Sequence, residues 1–272
     1  MDKKLDEIEF TIFDTETTGL DAASGDRIVE IAAVRFKDGQ RLDTFQALVN
    51  PDRPICEAAF QVNKITPEML IDAPRIKEVL PGFLKFIQGS CLCSYNAGFD
   101  LEFLNNELKL SSMPELEGIV VVDVLKMSRR LLPGLERYAL CFVAESLGIT
   151  TKQIHRAFSD VELTLGVFNK LNEMLYEKGI KDFKNFSNLF SINAHLLESM
   201  NSKKISEIQE AIDLNVRLHI RYISSSGEIS ERDVIPKEIK QEYGRSYLLA
   251  RCCQKNKERI FRIDGILHLE IV

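Results

Sequence analysis

Apolar and polar positions alternate in part over residues 8 to 13 (Ile-Glu-Phe-Thr-Ile-Phe), and the segment is rich in strand formers. Further strands are expected at 27 to 36 and 40 to 48, with Asp38-Gly39 as the hairpin turn between them. From 75 to 88 the period changes to that of a helix, carried by Ile76, Val79, Leu80, Phe83, Leu84 and Ile87 and disturbed by Pro81. A strand at 91 to 95, a helix at 99 to 110, a strand at 118 to 122 and helices near 123 to 131, 135 to 147 and 159 to 177 complete a mixed α/β first domain, residues 1 to 178. Asp123, between a strand and a helix, reads as an N-cap.

Beyond Glu177 the texture shifts. Asn, Ser and Lys become frequent, and Phe183, Phe186 and Phe190 recur at near-helical spacing, so 179 to 204 reads as a partly helical linker whose aromatic stripe packs on a domain. A second domain, 205 to 272, starts with a helix over Ile205 to Asn215, its Ser206-x-x-Gln209 compatible with a capping box. Strands follow at 216 to 223, 229 to 235, 246 to 252, 258 to 263 and 266 to 271. Short strands with little chain to cover their edges predict a small closed barrel.

Composition narrows the class. The 272 residues are 45% hydrophobic and 28% charged, enough to bury one large core or two modest ones. Net charge is −6, unevenly spread: residues 181 to 272 sum to +2 and the first 180 to −8. No apolar run approaches the ~18 residues of a membrane span, and the N-terminal residues lack the core of a signal peptide, so a cytoplasmic protein without membrane association is expected. The six cysteines show no paired CxxC spacing and are expected to be reduced thiols rather than zinc ligands.

Chemistry concentrates in three separated signatures: Asp14 and Glu16 in Phe-Asp-Thr-Glu-Thr-Thr-Gly, Asp100 in Tyr-Asn-Ala-Gly-Phe-Asp, and His155 with Asp160 in His-Arg-Ala-Phe-Ser-Asp. Residues i and i+2 of a strand share a face roughly 6.5 to 7 Å apart, so Asp14 and Glu16, at the end of the first strand, can flank metal ions. An oxygen-only donor set suits Mg²⁺ or Mn²⁺, and the single imidazole among the acids suits a base better than a ligand. Each signature alone has a bland reading: a solvated strand end, an acid at a helix N-terminus, a surface histidine. Their joint occurrence in this order outweighs those readings.

In that order and spacing the chain resembles the DnaQ-like 3′-5′ exonucleases of the DEDDh group, which include proofreading subunits of polymerases and ribonuclease T. The resemblance covers roughly residues 8 to 176 and extends to Ile28–Val34, Phe45–Pro51 and Ile65-Thr66-Pro67-Glu68-Met69, with Tyr95 where many relatives carry histidine. It implies a ribonuclease H-like fold, a five-stranded mixed sheet flanked by helices. It also implies that Asp14, Glu16, Asp100 and Asp160 hold two divalent cations, Mg²⁺ or Mn²⁺, and that His155 is the general base, with Glu16 also reaching the terminal 3′-hydroxyl. Thr17, Gly19, Leu20 and Asn96 would then lie beside the last nucleotide. The implied partners are nucleic acid with a free 3′ end, single-stranded DNA ends favoured, and a polymerase or other replication or repair protein.

The C-terminal segment resembles a WYL domain, a small barrel of the SH3/Sm kind, through Ile220 and Tyr222, Arg232-x-Val234-x-Pro236, Tyr247-Leu248 and Arg259-x-Phe261-Arg262-Ile263-Asp264. Ser246 replaces the eponymous Trp, and Gly265 stands where Arg is usual. The resemblance implies that Arg232, Tyr247, Arg259 and Arg262 contact nucleic acid or an effector. Two alternatives stay open at this level: a 3′-5′ exoribonuclease, and a ligand-sensing regulator or adaptor that only binds nucleic-acid ends.

Overall fold

A computed structural model describes residues 3–116, 118–150, 153–192, 194–242 and 245–272, with the backbone alone over 194–200. The chain runs through β1 (Phe10–Thr17), β2 (Ile28–Lys37), β3 (Gln40–Leu48), α1 (Glu57–Asn63), α2 (Pro67–Leu70), α3 (Ile76–Ile87), β4 (Cys91–Ser94), α4 (Ala97–Leu110), β5 (Val121–Asp123), α5 (Val124–Leu131), α6 (Leu140–Ser146) and α7 (Ala157–Glu177). It continues through α8 (Phe183–Phe190), α9 (Ala194–Asp213), β6 (Leu218–Ile223), β7 (Ile229–Glu242), β8 (Arg245–Cys252), β9 (Lys257–Arg262) and β10 (Ile266–Ile271).

The first sheet has the order β3-β2-β1-β4-β5. Its β1–β2 and β2–β3 pairs are antiparallel, whereas β1–β4 and β4–β5 are parallel. Strand β1 alternates its side chains between two apolar layers. Ile12 packs with Val34 and Phe36 against Val167, Phe168 and Leu171 of α7, and Phe13 packs with Ile31 and Ala33 against Leu80 and Phe83 of α3 and Leu104 of α4. Because both faces are covered, β2 reads as a near-continuous apolar run. Pro81 is accommodated inside α3, where buried Val79, Leu80, Phe83 and Ile87 hold the helix on the sheet despite the lost backbone donor. Asp123 caps α5 as expected, accepting from the Leu125 and Lys126 amides at 2.9 and 3.4 Å.

Two expectations about local structure change. Strand β1 extends to Thr17, so Asp14 and Glu16 lie within it rather than at its end: β2 pairs with it as far as Ile28, past a bulge at Glu16/Thr17. The helix expected from Ile205 begins at Ala194, so the linker is helical through its second half. Ser206 is therefore interior to α9, and its hydroxyl donates to the Ser202 carbonyl at 3.1 Å instead of capping a helix start.

The second sheet, β10-β6-β7-β8-β9, is antiparallel throughout. The expected closed barrel is not what the pairing shows: among the described residues the outer strands β9 and β10 do not pair with each other, and a short 3₁₀ turn, Ile263–Gly265, joins them. The sheet need not close to hide its apolar face, because Ile208 and Ala211 of α9 pack with Leu218, Ile220, Val234, Leu248 and Phe261. Gly265 has a packing reason for departing from the WYL pattern. A Cβ there would come within 2.8 Å of both the Ile223 carbonyl and the Tyr222 ring.

The aromatic stripe of α8 faces the first domain. Phe186 stacks edge-on to Phe10, Phe168 and Phe190 with centroids 5.7, 6.1 and 5.6 Å apart. Ile223 and Leu267 of the second sheet join the same cluster as Phe10 and Phe168, so the second sheet adds to one apolar layer of the first domain besides keeping its own cluster. Polar ties reinforce the junction: Arg221 donates to the Lys178 carbonyl at 2.8 Å, Asn185 to Leu267 at 3.1 Å, and Asn188 to Asp264 at 3.2 Å. Among the described residues no helix is long and apolar enough to cross a membrane.

Candidate active site

Within β1 the partly open positions are Asp14 and Glu16, while Thr15 and Thr17 turn inward. Helix α7 crosses the same sheet face and brings Asp160 from its first turn. Carboxylate oxygens of Asp14, Glu16 and Asp160 lie within 4.8 Å of one another. Asp100, on the first turn of α4, is buried, and its oxygens are committed to positioning bonds. Oδ1 accepts from the Thr15 amide and hydroxyl at 2.9 and 2.7 Å, and Oδ2 accepts from Ser94 at 2.6 Å.

The electrostatics are those of four acids crowded together. Burial pushes Asp14 well above the ordinary carboxylate range, and Asp100, Glu16, Asp160 and Glu30 push it further. Glu16 rises to about 8, by burial and then by Asp160, Glu30 and Asp100, with Arg156 opposing. Asp100 rises to about 6 through burial, against the bonds from Ser94 and Thr15. Burial also raises Asp160; Gln153 donates to its Oδ2 at 2.5 Å, yet its Oδ1 is buried with no hydrogen-bond partner. An all-oxygen donor set with an unpartnered buried oxygen fits hard divalent cations.

His155 has its Nδ1 3.9 Å from Asp160 Oδ2 and a half-exposed ring, and it sits in the left-handed backbone region at φ 51°. What fixes it there is its neighbour. Arg156 donates through Nε and a terminal nitrogen to Glu30 at 2.9 and 2.8 Å, and the Ala157 amide adds a bond of 3.1 Å to the same fully buried carboxylate. Glu30 pairs with Glu16 across β1–β2, so one residue both anchors the histidine loop and adds negative charge beside the acids. Sequence reasoning missed Glu30, Arg156 and Gln153 as parts of the site. The available signal was a lone charge in the otherwise apolar run Ile28–Val34.

The residues expected beside the last nucleotide separate into two kinds. Thr17 is buried, and its hydroxyl donates to the Gly19 carbonyl at 2.6 Å. Gly19 is also buried, and a Cβ there would lie 2.2 Å from an Asp26 oxygen. Leu20, 84% exposed, and Asn96, exposed at φ 68°, are the two that reach solvent. In the second domain Arg262 is paired with Asp264 and faces the first domain, whereas Arg232 bonds Ser230 at 3.1 Å on β7 and Arg259 lies opposite Ala250 on β9. Tyr247, on β8, lies directly opposite Arg262 across the β8–β9 pair.

The family profile described as "Exonuclease" matches residues 11–168, and the one described as "WYL domain" matches 203–271. The chain belongs to the exonuclease family. Its DnaQ-like exonuclease domain is followed by a WYL domain. DNA polymerase III subunit epsilon of Treponema pallidum is 41% identical over 166 residues, 60% of this chain and 76% of that protein. A PolC-type DNA polymerase III of Caldanaerobacter subterraneus is 39% identical over 190 residues, 70% of this chain but 13% of that much longer protein. Among solved structures, exonuclease X in complex with 5′ overhanging duplex DNA superposes with a TM-score of 0.50 at 31% identity, covering 62% of this chain and 93% of that one. The exonuclease domain thus carries its acids on a fold shared with exonuclease X.

Proposed function

We propose that the protein is a divalent-cation-dependent 3′-5′ exonuclease that releases nucleoside 5′-monophosphates from DNA ends. The observation that carries this reading is the meeting of Asp14, Glu16 and Asp160 within 4.8 Å, with Asp100, on α4, close enough to raise the pKa of Asp14. Asp14, Glu16, Asp100 and Asp160 would hold two divalent cations, Mg²⁺ or Mn²⁺. Such a pair, when bound, neutralises charge on the phosphate and on both the entering and the leaving oxygen.

The chain's own groups do the rest. His155, open to solvent beside Asp160, accepts the proton of the attacking water. Glu30 and Arg156 hold that histidine against the acids, and Thr15 and Ser94 orient Asp100. Glu16 and the exposed Leu20 and Asn96 receive the terminal nucleotide, Leu20 offering an apolar surface to the base. Preference for DNA is supported by the relatives, which are polymerase III chains and a DNA-bound exonuclease, and the same relatives support association with a polymerase.

End-labelled single- and double-stranded DNA and RNA oligomers, incubated with Mg²⁺, Mn²⁺ or EDTA, test the reading. Trimming from the 3′ end of DNA that requires the cation and disappears in Asp14→Ala is expected. Trimming that survives EDTA, or persists in that variant, would refute it.

A further inference from the structure

Between the two domains lies a cleft of about 1050 Å³, separate from the acid cluster. One wall is α5, carrying Lys126, Arg129 and Arg130; the opposite wall is β8 and the end of β9, carrying Arg245 and Arg262. Against these five cations the lining holds two acids, and both are engaged. Asp264 pairs with Arg262, and Asp123 caps α5. The remaining lining is rich in hydroxyls, Ser202, Ser206 and Ser246 among them.

Arg130 is the telling residue. Its side chain is 94% buried, it forms no ion pair among the described residues, and one of its terminal nitrogens is buried with no hydrogen-bond partner. A guanidinium so placed costs free energy unless an anion reaches it. In the same cleft the Asn201 amide oxygen is likewise buried and unpartnered. The cations also disfavour one another: burial pushes Lys126 down to about 8, and Arg262, Arg130 and Arg245 push the same way against Asp264.

The walls are held in place. Gly227, in the β6–β7 turn at φ +73°, comes so close to α5 that a Cβ there would lie 2.6 Å from the Arg130 carbonyl. Lys126 donates to the Ser191 carbonyl at 3.0 Å. Ser246 is the position at which the WYL pattern carries Trp, so a small hydroxyl side chain lines the cleft where an indole is usual. The cleft is also linked to the acid cluster through the sheet. Asp123 pairs with Ser94, and Ser94 binds Asp100.

We propose that the interdomain cleft is a binding site for the phosphate of a nucleotide, free or within a strand, with Arg130 and Arg245 as its anion contacts and Asn201 meeting a polar edge of the ligand. A concentrated cationic lining favours the anionic, multidentate phosphate over neutral ligands, and the unpartnered amide oxygen calls for a hydrogen-bond donor such as a sugar hydroxyl or base amine. The site does not depend on the nuclease reading, because binding is measured without divalent cations.

The test is calorimetric titration of the full chain in EDTA with inorganic phosphate, dAMP and an eight-residue oligothymidylate, on wild type, Arg130→Gln and Arg245→Gln. Each variant is expected to weaken binding by about 10- to 100-fold. Saturable dAMP binding that phosphate competes away identifies a free nucleotide as the source. Oligothymidylate binding without dAMP binding identifies a strand. Absence of binding by all three probes, or affinities equal to wild type in both variants, overturns the proposal. Should Arg130→Gln melt early, Arg245→Gln decides alone, since that residue is exposed.

Discussion

Arg156 and Glu30, 126 residues apart, form a two-pronged ion pair beneath the acid cluster. Removing the cation would leave a fully buried carboxylate next to Glu16. Arg156→Met is expected to cost about 3–5 kcal/mol of stability, the range for breaking one side of a buried pair, and to lower kcat as His155 loses its support. Denaturant unfolding and oligonucleotide trimming would check both; a stable, fully active variant would show that the pair neither anchors the loop nor compensates Glu30.

Asp14→Ala is expected to reduce trimming by at least about 10²-fold while raising the melting temperature in EDTA. The second effect follows from the charge of the acid cluster: Asp14 lies among Asp100, Glu16 and Asp160, and removing one of several like charges relieves their repulsion. Added Mg²⁺ should stabilise wild type and leave the variant nearly unmoved. Calorimetric scans with and without the cation distinguish this from simple loss of packing.

The pH dependence of the cation-free protein has a definite sign. Glu16 rises from 4.5 to about 8 on folding, and Asp100 from 3.8 to about 6. A raised carboxyl keeps its proton in the folded state while the unfolded chain releases it, so its contribution is fully present below the unfolded pKa and is lost as pH climbs through the folded one. Melting temperature in EDTA should therefore fall from about pH 4.5 to about pH 8, and Glu16→Gln should flatten the upper part of that fall. A rise over the same interval would contradict the electrostatic picture.

His155→Ala is expected to slow trimming by about 10²- to 10⁴-fold with little change in unfolding free energy, since the ring is half exposed and its loop is held by Arg156. Stopped-flow or gel kinetics paired with a denaturant curve would read the two separately. A variant that retains wild-type kcat would remove the histidine from the mechanism.

Gly19→Ala tests the turn after β1. Its new methyl would collide with the Asp26 carboxylate, which accepts from the Thr18 hydroxyl at 2.9 Å. A loss of about 1–3 kcal/mol is expected, with KM raised as the Leu20 surface shifts. An unchanged KM would separate this turn from the nucleotide.

Periodicity exposed most elements of the first sheet because each strand and helix there follows its own hydrophobic repeat: Val79, Leu80, Phe83 and Ile87 mark α3 through an interior proline. The acids were legible because Asp14, Glu16, Asp100 and Asp160 sit in short, ordered signatures. Their positioning partners were not. Glu30 and Arg156 find each other only through β1–β2 pairing and the crossing of α7, which no local pattern encodes. The extension of α9 back to Ala194 escaped the reading because Asn201, Ser202 and Lys203 look like a linker, whereas helix propensity was overridden by the packing of Ile208 and Ala211 further along. The open second sheet was unpredictable for a similar reason: strand spacing does not reveal that a preceding helix covers the apolar side.

Leu267, from β10, completes an apolar cluster whose other members include Phe10 and Phe168. During synthesis on the ribosome, that wall is sealed only when Leu267, 250 positions beyond Thr17 at the end of β1, has emerged. A chain interrupted before β10 would leave that apolar wall open, a greasy notch for chaperones or proteases.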